Sequence, residues 1–196
     1  MMAPQTEQKL RILRAAAQLF AEYGYHGVGV AQLEKAVGLQ RGALYHHIGS
    51  KEALLYEIST SQLVVMAEVA ERIEREEADP EQRIRRLARA VMENIAEHRL
   101  EWTVHYRDFS ALTGDRLTHV LELRARYERV WTDCIRSGVT AGEFLPLADS
   151  VVAKGIMGMF NFSYIWLDSA GRLTPRKIAE LFCDAFLDGI RVPQKG

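Results

Sequence analysis

Two short helical patterns joined by a glycine lie within residues 31–51, and no other feature constrains the fold of this chain so tightly. One pattern covers residues 31–37 and the other covers residues 40–48, with Gly38 between them. Glycine adopts positive φ without steric cost, which the sharp turn between two packed helices requires. The apolar side chains placed to pack the two helices together are Leu33, Val37, Leu39 and Leu44. The stretch predicts a helix-turn-helix, although its spacing alone fits a plain helical hairpin equally well.

Almost every other segment repeats its apolar residues with the period of an α-helix. Gly24 is placed to end the first helix, and Pro80 and Pro175 are placed to begin the fifth and the ninth. Since no segment shows convincing strand alternation or an internal repeat, we predict an all-α fold of about nine helices. Residues 1–50 are expected to form a three-helix head and residues 51–196 a larger helical body.

Three finer predictions concern individual helices. The sixth helix is expected to cover residues 99–112, and the eighth is expected to cover residues 149–167. The apolar spacing of the first helix places Leu10, Leu13, Ala17 and Phe20 on one face.

The composition excludes several classes of protein. Apolar residues make up 48% of the 196 residues and charged residues 26%, as in an ordinary globular chain. No apolar run approaches the ~18 residues of a membrane span, and the N-terminus does not resemble a secretory signal. Cys134 and Cys183 lie in helical segments without metal-type spacing, so we expect two buried free thiols, no metal, no cofactor and a cytoplasmic location.

Charge is distributed unevenly along the chain. Residues 1–51 carry six lysines and arginines against three glutamates, a net charge of +3, so the remaining residues carry −4. A basic end on an otherwise acidic chain favours a polyanionic partner at that end.

The second helix of the helix-turn-helix carries side chains suited to DNA. Bases are read by small or polar side chains at the start of such a helix, and those candidates are Gln40, Arg41, Gly42 and Ala43. Phosphates are held by flanking donors, and those candidates are Tyr45, His46, His47 and Lys51. Glycine inside a helix costs about 1 kcal/mol relative to alanine, so Gly42 indicates a close approach of DNA to the backbone. One of the two histidines is equally well interpreted as a solvated surface residue.

The head resembles the N-terminal signature of the TetR family of transcriptional regulators over residues 8–55. The matching residues are Gly24, Tyr25, Val30, Leu33, Ala36, Gly38, Leu39, Gly42, Ala43, Leu44, Tyr45, Ser50, Lys51, Glu52, Ala53 and Leu54. The resemblance implies that Tyr45 and Lys51 contact phosphates and that residues 40–43 face bases. The chain departs from the family pattern at four positions. Gly29 stands where the pattern has a Thr or Ser cap, and Glu34 stands where it has Ala. Gln40 replaces a Ser or Thr, and Ile48 replaces an aromatic residue.

The last two helices are the most apolar of the body. Proteins with this kind of head pair these helices into a four-helix dimer seam, so the resemblance implies a homodimer. Two heads about 34 Å apart, one turn of DNA, read a palindromic double-stranded operator. The alternative is that the apolar stripes of these helices only form an internal core.

Aromatic and basic residues in the middle of the body indicate a small-molecule site. Trp102, Tyr106 and Phe109 repeat at helical spacing, and Arg124 interrupts an apolar stripe formed with Tyr127 and Trp131. A second aromatic group comprises Phe162 and Trp166. Together with the many arginines of residues 75–136, these residues predict a large apolar pocket with a cationic mouth. Each residue taken singly is better explained by ordinary packing.

Such a pocket suits an amphipathic anion such as a fatty acid, a sterol-derived acid or an acyl-CoA. The sequence therefore predicts a repressor that a small effector releases from its operator. An enzyme is one alternative, but no phosphate loop, nucleophile elbow or paired histidine ligand is found. A helical adaptor that binds protein instead of DNA is the other.

Overall fold

The structure is a computed structural model that describes residues 4–168 and 170–193. Within these residues the chain forms nine α-helices and two short 3₁₀ segments, and the prediction of an all-α fold is confirmed. The helices are α1 (Pro4–Tyr23), α2 (Val30–Val37), α3 (Arg41–Ile48), α4 (Lys51–Glu76), α5 (Pro80–Glu97), α6 (Arg99–Asp108), α7 (Gly114–Thr140), α8 (Asp149–Asn161) and α9 (Pro175–Ile190). The 3₁₀ segments are Phe109–Ala111 and Phe162–Ile165.

Local side-chain caps explain where several helices begin. Ser50 Oγ accepts a hydrogen bond of 3.0 Å from the Ala53 amide at the start of α4. Asp79 Oδ1 accepts one of 2.8 Å from the Gln82 amide at the start of α5, where Pro80 occupies the first turn. These caps satisfy amides that have no partner within the helix, so the predicted starts at Lys51 and Pro80 are confirmed.

Two helices end earlier than their apolar pattern predicts. The helix α6 ends at Asp108 and α8 ends at Asn161, and a 3₁₀ segment continues the chain in each case. After α8 the Trp166 amide bonds to the Ser163 carbonyl three residues back, at 3.1 Å. A 3₁₀ turn of this kind satisfies the last carbonyls of a helix. The apolar pattern of the sequence does not show where an α-helix changes into a 3₁₀ helix.

The buried face of α1 overlaps the predicted apolar face only in part. Ala17 and Phe20 are buried as part of that face, but Ile12 and Ala16 are fully buried too, whereas Leu10 is exposed. Because α1 packs against α2, the stripe with four-residue spacing turns inward and Leu10 lies outside it.

The chain divides into two compact units. The N-terminal unit comprises the described residues up to Gln62 together with Leu100–Leu121. The C-terminal unit comprises Leu63–Arg99 together with the described residues from Glu122 onward. Each unit therefore draws on two separate stretches of the sequence.

The core of the C-terminal unit is built on α5, which packs most extensively against α9. Trp131 of α7 stacks on Phe160 of α8, with ring centroids 6.0 Å apart. Cys134 and Cys183 are buried free thiols, as predicted, and burial raises the pKa of each to about 12. At neutral pH both thiols therefore remain protonated.

The helix α4 is, in the described part of the chain, the one helix long and apolar enough to cross a membrane. Its mean hydropathy over an 18-residue window is 1.2. Half of that window is buried within the structure, as in the core helix of a globular protein.

Candidate functional site

The turn between α2 and α3 has the geometry that the sequence predicts. Gly38 adopts a left-handed conformation with φ 68° and ψ 31°, and its amide bonds to the Glu34 carbonyl. Leu33 and Val37 of α2 are buried with Leu44 and Ile48 of α3. The two short helices are therefore fixed by a small apolar core, in which the aliphatic Ile48 fills the place of an aromatic residue.

An arginine of α1 holds the end of α2. The Arg11 guanidinium donates a hydrogen bond of 2.8 Å to the Val37 carbonyl, 26 residues away. A cation at a helix C-terminus is favourable because it meets unpaired carbonyls and the negative end of the helix dipole. The sequence does not predict this role of Arg11, because its partner is a backbone atom far along the chain.

The start of α2 is held without a Thr or Ser cap. Gly29 occupies the cap position and has no side chain, yet its amide donates a hydrogen bond of 2.7 Å to Oε1 of Gln32. This bond is the returning half of a capping box. Gln32 thus fixes the entry to α2, although no cap hydroxyl is present to meet a phosphate.

The four candidates for base contact lie side by side at the surface. Gln40 caps α3 in an extended conformation, and residues 40–43 are all exposed. A Cβ added at Gly42 would meet no atom within 4 Å, so nothing within the chain requires glycine there. The first turn of α3 is therefore an open surface where a second molecule has access to the backbone.

Three of the candidates for phosphate contact lie on α3 beside that surface. Tyr45 is half-buried, and the Arg41 guanidinium lies 5.7 Å from the centre of its ring. His46 and His47 place their rings 5.6 Å apart, His46 being the more exposed. Tyr45, His46 and His47 lie on α3, whereas Lys51 begins α4, and all four remain candidates for contact with DNA.

Lys51 is held against aromatic rings within the N-terminal unit. Its ammonium lies 4.3 Å from the centre of the Tyr25 ring and 5.9 Å from that of Phe20. Burial lowers the pKa of Lys51, and the charge of Asp108 opposes that shift. The lysine is thus positioned by cation–π contact, which the sequence did not predict.

A segment from the middle of the chain completes this unit. We call Leu100–Leu121 the clasp segment. Its Asp108 carboxylate accepts a hydrogen bond of 3.2 Å from the Tyr25 amide. The adjacent Arg107 donates to the carbonyls of Phe20 and Ala21 at the end of α1, the second bond being 2.9 Å. The clasp segment therefore fixes the loop that carries Tyr25 beneath Lys51.

The clasp segment also binds the start of α4. The Glu52 carboxylate accepts hydrogen bonds of 3.0 Å from the Thr113 amide and hydroxyl and one of 2.9 Å from Arg116. The bonds from Thr113, chiefly, hold the pKa of Glu52 below its usual value. One turn later, Tyr56 and His119 form a hydrogen bond of 2.7 Å.

The predicted effector-binding residues fall into separate groups in the two units. In the N-terminal unit Trp102 is buried and stacks on Tyr106, with centroids 5.5 Å apart. One turn later Phe109 stacks on His105 at 5.5 Å. These side chains form one aromatic row that runs from α6 into the 3₁₀ segment after it.

In the C-terminal unit Tyr127 and Trp131 are buried, with ring centroids 6.2 Å apart, and Arg124 is half-buried. Phe162 and Trp166 lie at the surface instead, with 60% and 46% of their area exposed. The structure therefore does not place these last two residues in an enclosed cavity of this unit.

Many arginines of the C-terminal unit are matched by carboxylates. Arg126 makes a two-point contact with Glu71, with distances of 3.1 and 3.0 Å. Arg136 contacts Asp149 at 2.7 Å, and Arg85 contacts Asp184 at 2.8 Å. Because these charges already have counter-ions, the number of arginines alone does not indicate a cationic entrance to a pocket. Among the described residues, no group of three or more potential metal ligands is found.

Two sequence-family models match the chain. Residues 12–58 match the model described as bacterial regulatory proteins, tetR family, and residues 77–190 match a tetracyclin repressor-like C-terminal domain. The chain is also similar to the HTH-type transcriptional repressor KstR2 of Mycobacterium tuberculosis, with 26% identity over 181 residues, which cover 91% of this chain and 90% of that protein.

Solved structures of this family share the fold. The TetR family regulator PfmR of Thermus thermophilus has a TM-score of 0.84 and 31% identity, covering 91% of this chain and 97% of that one. The ketosteroid transcriptional regulator KstR2 of M. tuberculosis has a TM-score of 0.88 and 25% identity, covering 98% and 97%. The structure of AibR in complex with isovaleryl coenzyme A and operator DNA has a TM-score of 0.80 and 24% identity, covering 95% and 99%.

These relatives are transcriptional repressors and regulators, and none is named as an enzyme. The resemblance seen in the head thus extends to the body, which the sequence analysis could not match by any motif. The chain belongs to the TetR family of DNA-binding transcriptional repressors.

Proposed function

We propose that the first turn of α3 reads the bases of a double-stranded operator. Gln40, Arg41, Gly42 and Ala43 would face the major groove, while Tyr45, His46, His47 and Lys51 would hold phosphates. The observation that carries the proposal is the open surface at Gly42, next to a helix start with exposed polar side chains. Gln40 has the amide needed for a bidentate contact with adenine. Because the proposed target is chromosomal DNA of a bacterium, we propose that the protein lies in the cytoplasm.

We further propose a homodimer that binds a palindromic site. Apolar side chains exposed on α8, the following 3₁₀ segment and α9 support it, and they are Val151, Phe162, Ile165, Trp166 and Leu181. Surface exposure of large apolar groups on this scale is typical of an interface. Sedimentation at micromolar concentration is expected to give a dimer, and Trp166→Asp is expected to shift it toward monomer. A wild-type monomer under these conditions contradicts the proposal.

The effector is proposed to be a small acyl-CoA, fatty-acid or sterol-catabolism intermediate whose binding releases the operator. Two similar proteins support this proposal: AibR forms a complex with isovaleryl coenzyme A, and KstR2 is a ketosteroid transcriptional regulator. The predicted contacts are Trp102, Tyr106, Phe109, Arg124, Tyr127, Trp131, Phe162 and Trp166. In this proposal residues 1–50 bind DNA, and residues 51–196 bind the effector and form the dimer.

Fluorescence anisotropy with DNA from upstream of the gene tests the DNA-binding proposal. Arg41→Ala is expected to weaken binding by about tenfold or more and to relax specificity, since a bidentate base contact contributes ~1–3 kcal/mol. Arg14→Ala, which removes an exposed arginine of α1, is the matched control for charge. Equal losses in the two variants contradict base reading by α3.

Lys51→Ala tests the phosphate contact. A lysine that neutralises one phosphate contributes about one unit to the slope of log affinity against log salt. The variant is expected to lose that unit on specific and nonspecific DNA alike. An unchanged slope would assign Lys51 to the support of the Tyr25 ring alone. Absence of any DNA binding by the wild type would favour the adaptor function instead.

A further inference from the structure

An arginine and a tyrosine of α3 form a cation–π pair. The Arg41 guanidinium lies over the ring of Tyr45, with its central carbon 5.7 Å from the ring centre. The two residues are one turn apart, and residues at this spacing are neighbours on the surface of a helix. Side chains of a helix lean toward its N-terminus, so the Tyr45 ring extends back over the first turn, where Arg41 begins the helix. A guanidinium within about 6 Å of a ring centre is attracted to the face of that ring.

Carboxylates do not hold Arg41 in the described part of the chain. The contact found there for its guanidinium is the Tyr45 ring, and the side chain lies at the surface. Arg11, in contrast, is already engaged by the Val37 carbonyl. The charge of Arg41 is therefore available to an acceptor on another molecule, while the ring restricts where the guanidinium lies.

The ring and the hydroxyl of Tyr45 are able to perform separate tasks. Tyr45 is half-buried whereas Arg41 is exposed, so the ring is the more constrained partner of the pair. A phosphate contact needs the hydroxyl, whereas the attraction of a guanidinium needs only the face of the ring. Phenylalanine at this position keeps the ring alone, and leucine removes both groups. The two tasks are therefore separable by substitution.

The position of a base-reading side chain before DNA binds affects how well it discriminates bases. Arginine has many rotamers, and ordering them opposes binding. A side chain that already lies near its bound position loses less freedom, so its contact contributes more to affinity and specificity. Arg41 stands next to Gly42 and Ala43 in the turn proposed to read bases. A ring that orients Arg41 therefore acts on sequence recognition.

The basic residue at the start of α4 is placed in the same way. The Lys51 ammonium lies 4.3 Å from the centre of the Tyr25 ring. Tyr25 belongs to the loop after α1 and Tyr45 belongs to α3, so the two cation–π contacts arise independently. Their recurrence indicates that this unit orients the cations proposed to face DNA with tyrosine rings.

We propose that Tyr45 is a positioning residue: its ring holds the Arg41 guanidinium at the first turn of α3, where Arg41 reads a guanine in the major groove. Guanine presents two acceptors there, O6 and N7, which match two N–H groups of a guanidinium. The proposal rests on the proposed base reading by α3, and it adds the base that is read and the residue that orients the reader. Tyr45 thus contributes to specificity through its ring, besides the phosphate contact expected of its hydroxyl.

Selection from a library of randomised double-stranded DNA tests this role with the full-length protein. The wild type selects a reference site, and the base pair at which Arg41→Ala loses its preference identifies the guanine. The measured quantity is the ratio of the affinities for the reference site and for the same site with that G·C pair replaced by A·T. Because both affinities are measured on one variant, the ratio does not depend on the fraction of folded protein.

Tyr45→Leu and Tyr45→Phe separate the ring from the hydroxyl. Tyr45→Leu is expected to lower the ratio roughly twofold to fivefold, the usual contribution of an exposed cation–π contact. Tyr45→Phe is expected to keep the ratio and to weaken binding to both sequences alike. In a protein that already carries Arg41→Ala, Tyr45→Leu is expected to lower the ratio no further. Tyr23→Leu, at an exposed tyrosine of α1, is the matched control and is expected to leave the ratio unchanged.

The contact between Arg41 and Tyr45 is measured without DNA by NMR. The ring current of Tyr45 is expected to shift the side-chain proton resonances of Arg41 upfield in the free wild-type protein. The shift is expected to persist in Tyr45→Phe and to disappear in Tyr45→Leu. This measurement decides whether the pair exists in solution independently of the operator.

An unchanged ratio in Tyr45→Leu would overturn the positioning role, and so would an equal loss in Tyr45→Phe, which would assign the effect to the hydroxyl. Absence of the upfield shift in the wild type would overturn it as well, and selection of another base at the Arg41 position would contradict the assigned guanine. A different failure is recognised separately. If the wild type selects no sequence, or if Arg41→Ala keeps every preference, the proposed base reading by Arg41 itself fails, and a retained upfield shift then limits the pair to a structural role.

Discussion

The two units use arginine in different ways. In the N-terminal unit Arg11 and Arg107 donate to backbone carbonyls at the ends of α2 and α1, and so fix the helix-turn-helix. In the C-terminal unit Arg126 and Arg136 face carboxylates across the surface. The same side chain is thus a structural brace in one unit and a matched surface charge in the other. A run of arginines in a sequence does not distinguish these roles, and neither role requires an anionic ligand.

Among the substitutions that test this comparison, Asp108→Ala is expected to reduce stability the most. The Asp108 carboxylate is buried and accepts from the Tyr25 amide and from Arg107. Its removal is expected to lower the free energy of unfolding by about 2 kcal/mol, because a charge-assisted hydrogen bond is lost and the amide of the half-buried Tyr25 is left unpaired. Chemical denaturation measures the change, and operator affinity is expected to fall with it.

Asp115→Ala is the control for that experiment. Asp115 is an exposed carboxylate in the same segment, in the first turn of α7, and its loss is expected to cost less than about 1 kcal/mol. Equal destabilisation by the two variants would show that the clasp segment does not brace the head through Asp108.

A smaller loss is expected from Gly38→Ala. Gly38 has φ 68°, a conformation that costs an L-residue about 1–2 kcal/mol. The variant is expected to unfold more easily by that amount and to bind the operator more weakly, because the turn sets the angle between α2 and α3. Unchanged stability, measured by urea titration, would mean that the turn relaxes without cost.

The pH dependence of stability tests the bond between the clasp segment and α4. The folded-state pKa of Glu52 is lowered mainly by the Thr113 amide, so its stabilisation is present above the unfolded pKa of about 4.3 and is lost as pH falls through the folded value. Glu52→Gln is expected to flatten this acid loss of stability in thermal melts between pH 6 and pH 3. If the variant lost thermal stability with falling pH as the wild type does, Glu52 would not stabilise the contact between the clasp segment and α4.

The smallest effect is expected from Arg126→Met. The pair with Glu71 is substantially exposed, and such pairs contribute about 0–1 kcal/mol. The substitution keeps the aliphatic length, so both the free energy of unfolding and the binding of isovaleryl coenzyme A are expected to change little. A large loss of affinity for isovaleryl coenzyme A would assign Arg126 to a cationic mouth after all.

Features that depend on neighbouring residues were predictable from the sequence. The caps at Ser50 and Pro80, the turn at Gly38 and the helical content all follow from side chains within one or two turns. The exposed start of α3 followed from the same local pattern. At these positions tertiary packing agrees with the local sequence signals, and the predictions are confirmed.

Features that depend on distant partners were not predictable. The bonds from Asp108 to Tyr25 and from Arg107 to Ala21 join residues 83 and 86 positions apart, and neither leaves a periodic signal. The position of Lys51 over the Tyr25 ring likewise depends on a loop held by the clasp segment. The prediction of one effector pocket combined Trp102 with Trp131 because both belong to groups of aromatic and basic residues, and the two residues lie in different compact units.

The central claim is that the first turn of α3 meets DNA closely enough to require glycine at position 42. Gly42→Ala is expected to stabilise the fold by up to about 1 kcal/mol, because alanine favours a helix and its Cβ meets no atom within 4 Å. The same variant is expected to weaken operator binding by about tenfold, since a methyl group there costs on the order of 1–3 kcal/mol in a tight contact. Gly189→Ala, at an equally open position of α9, is expected to stabilise without affecting DNA binding. Operator affinity measured by anisotropy for this pair is the direct test: a loss confined to Gly42→Ala agrees with the account, and wild-type affinity in both variants contradicts it.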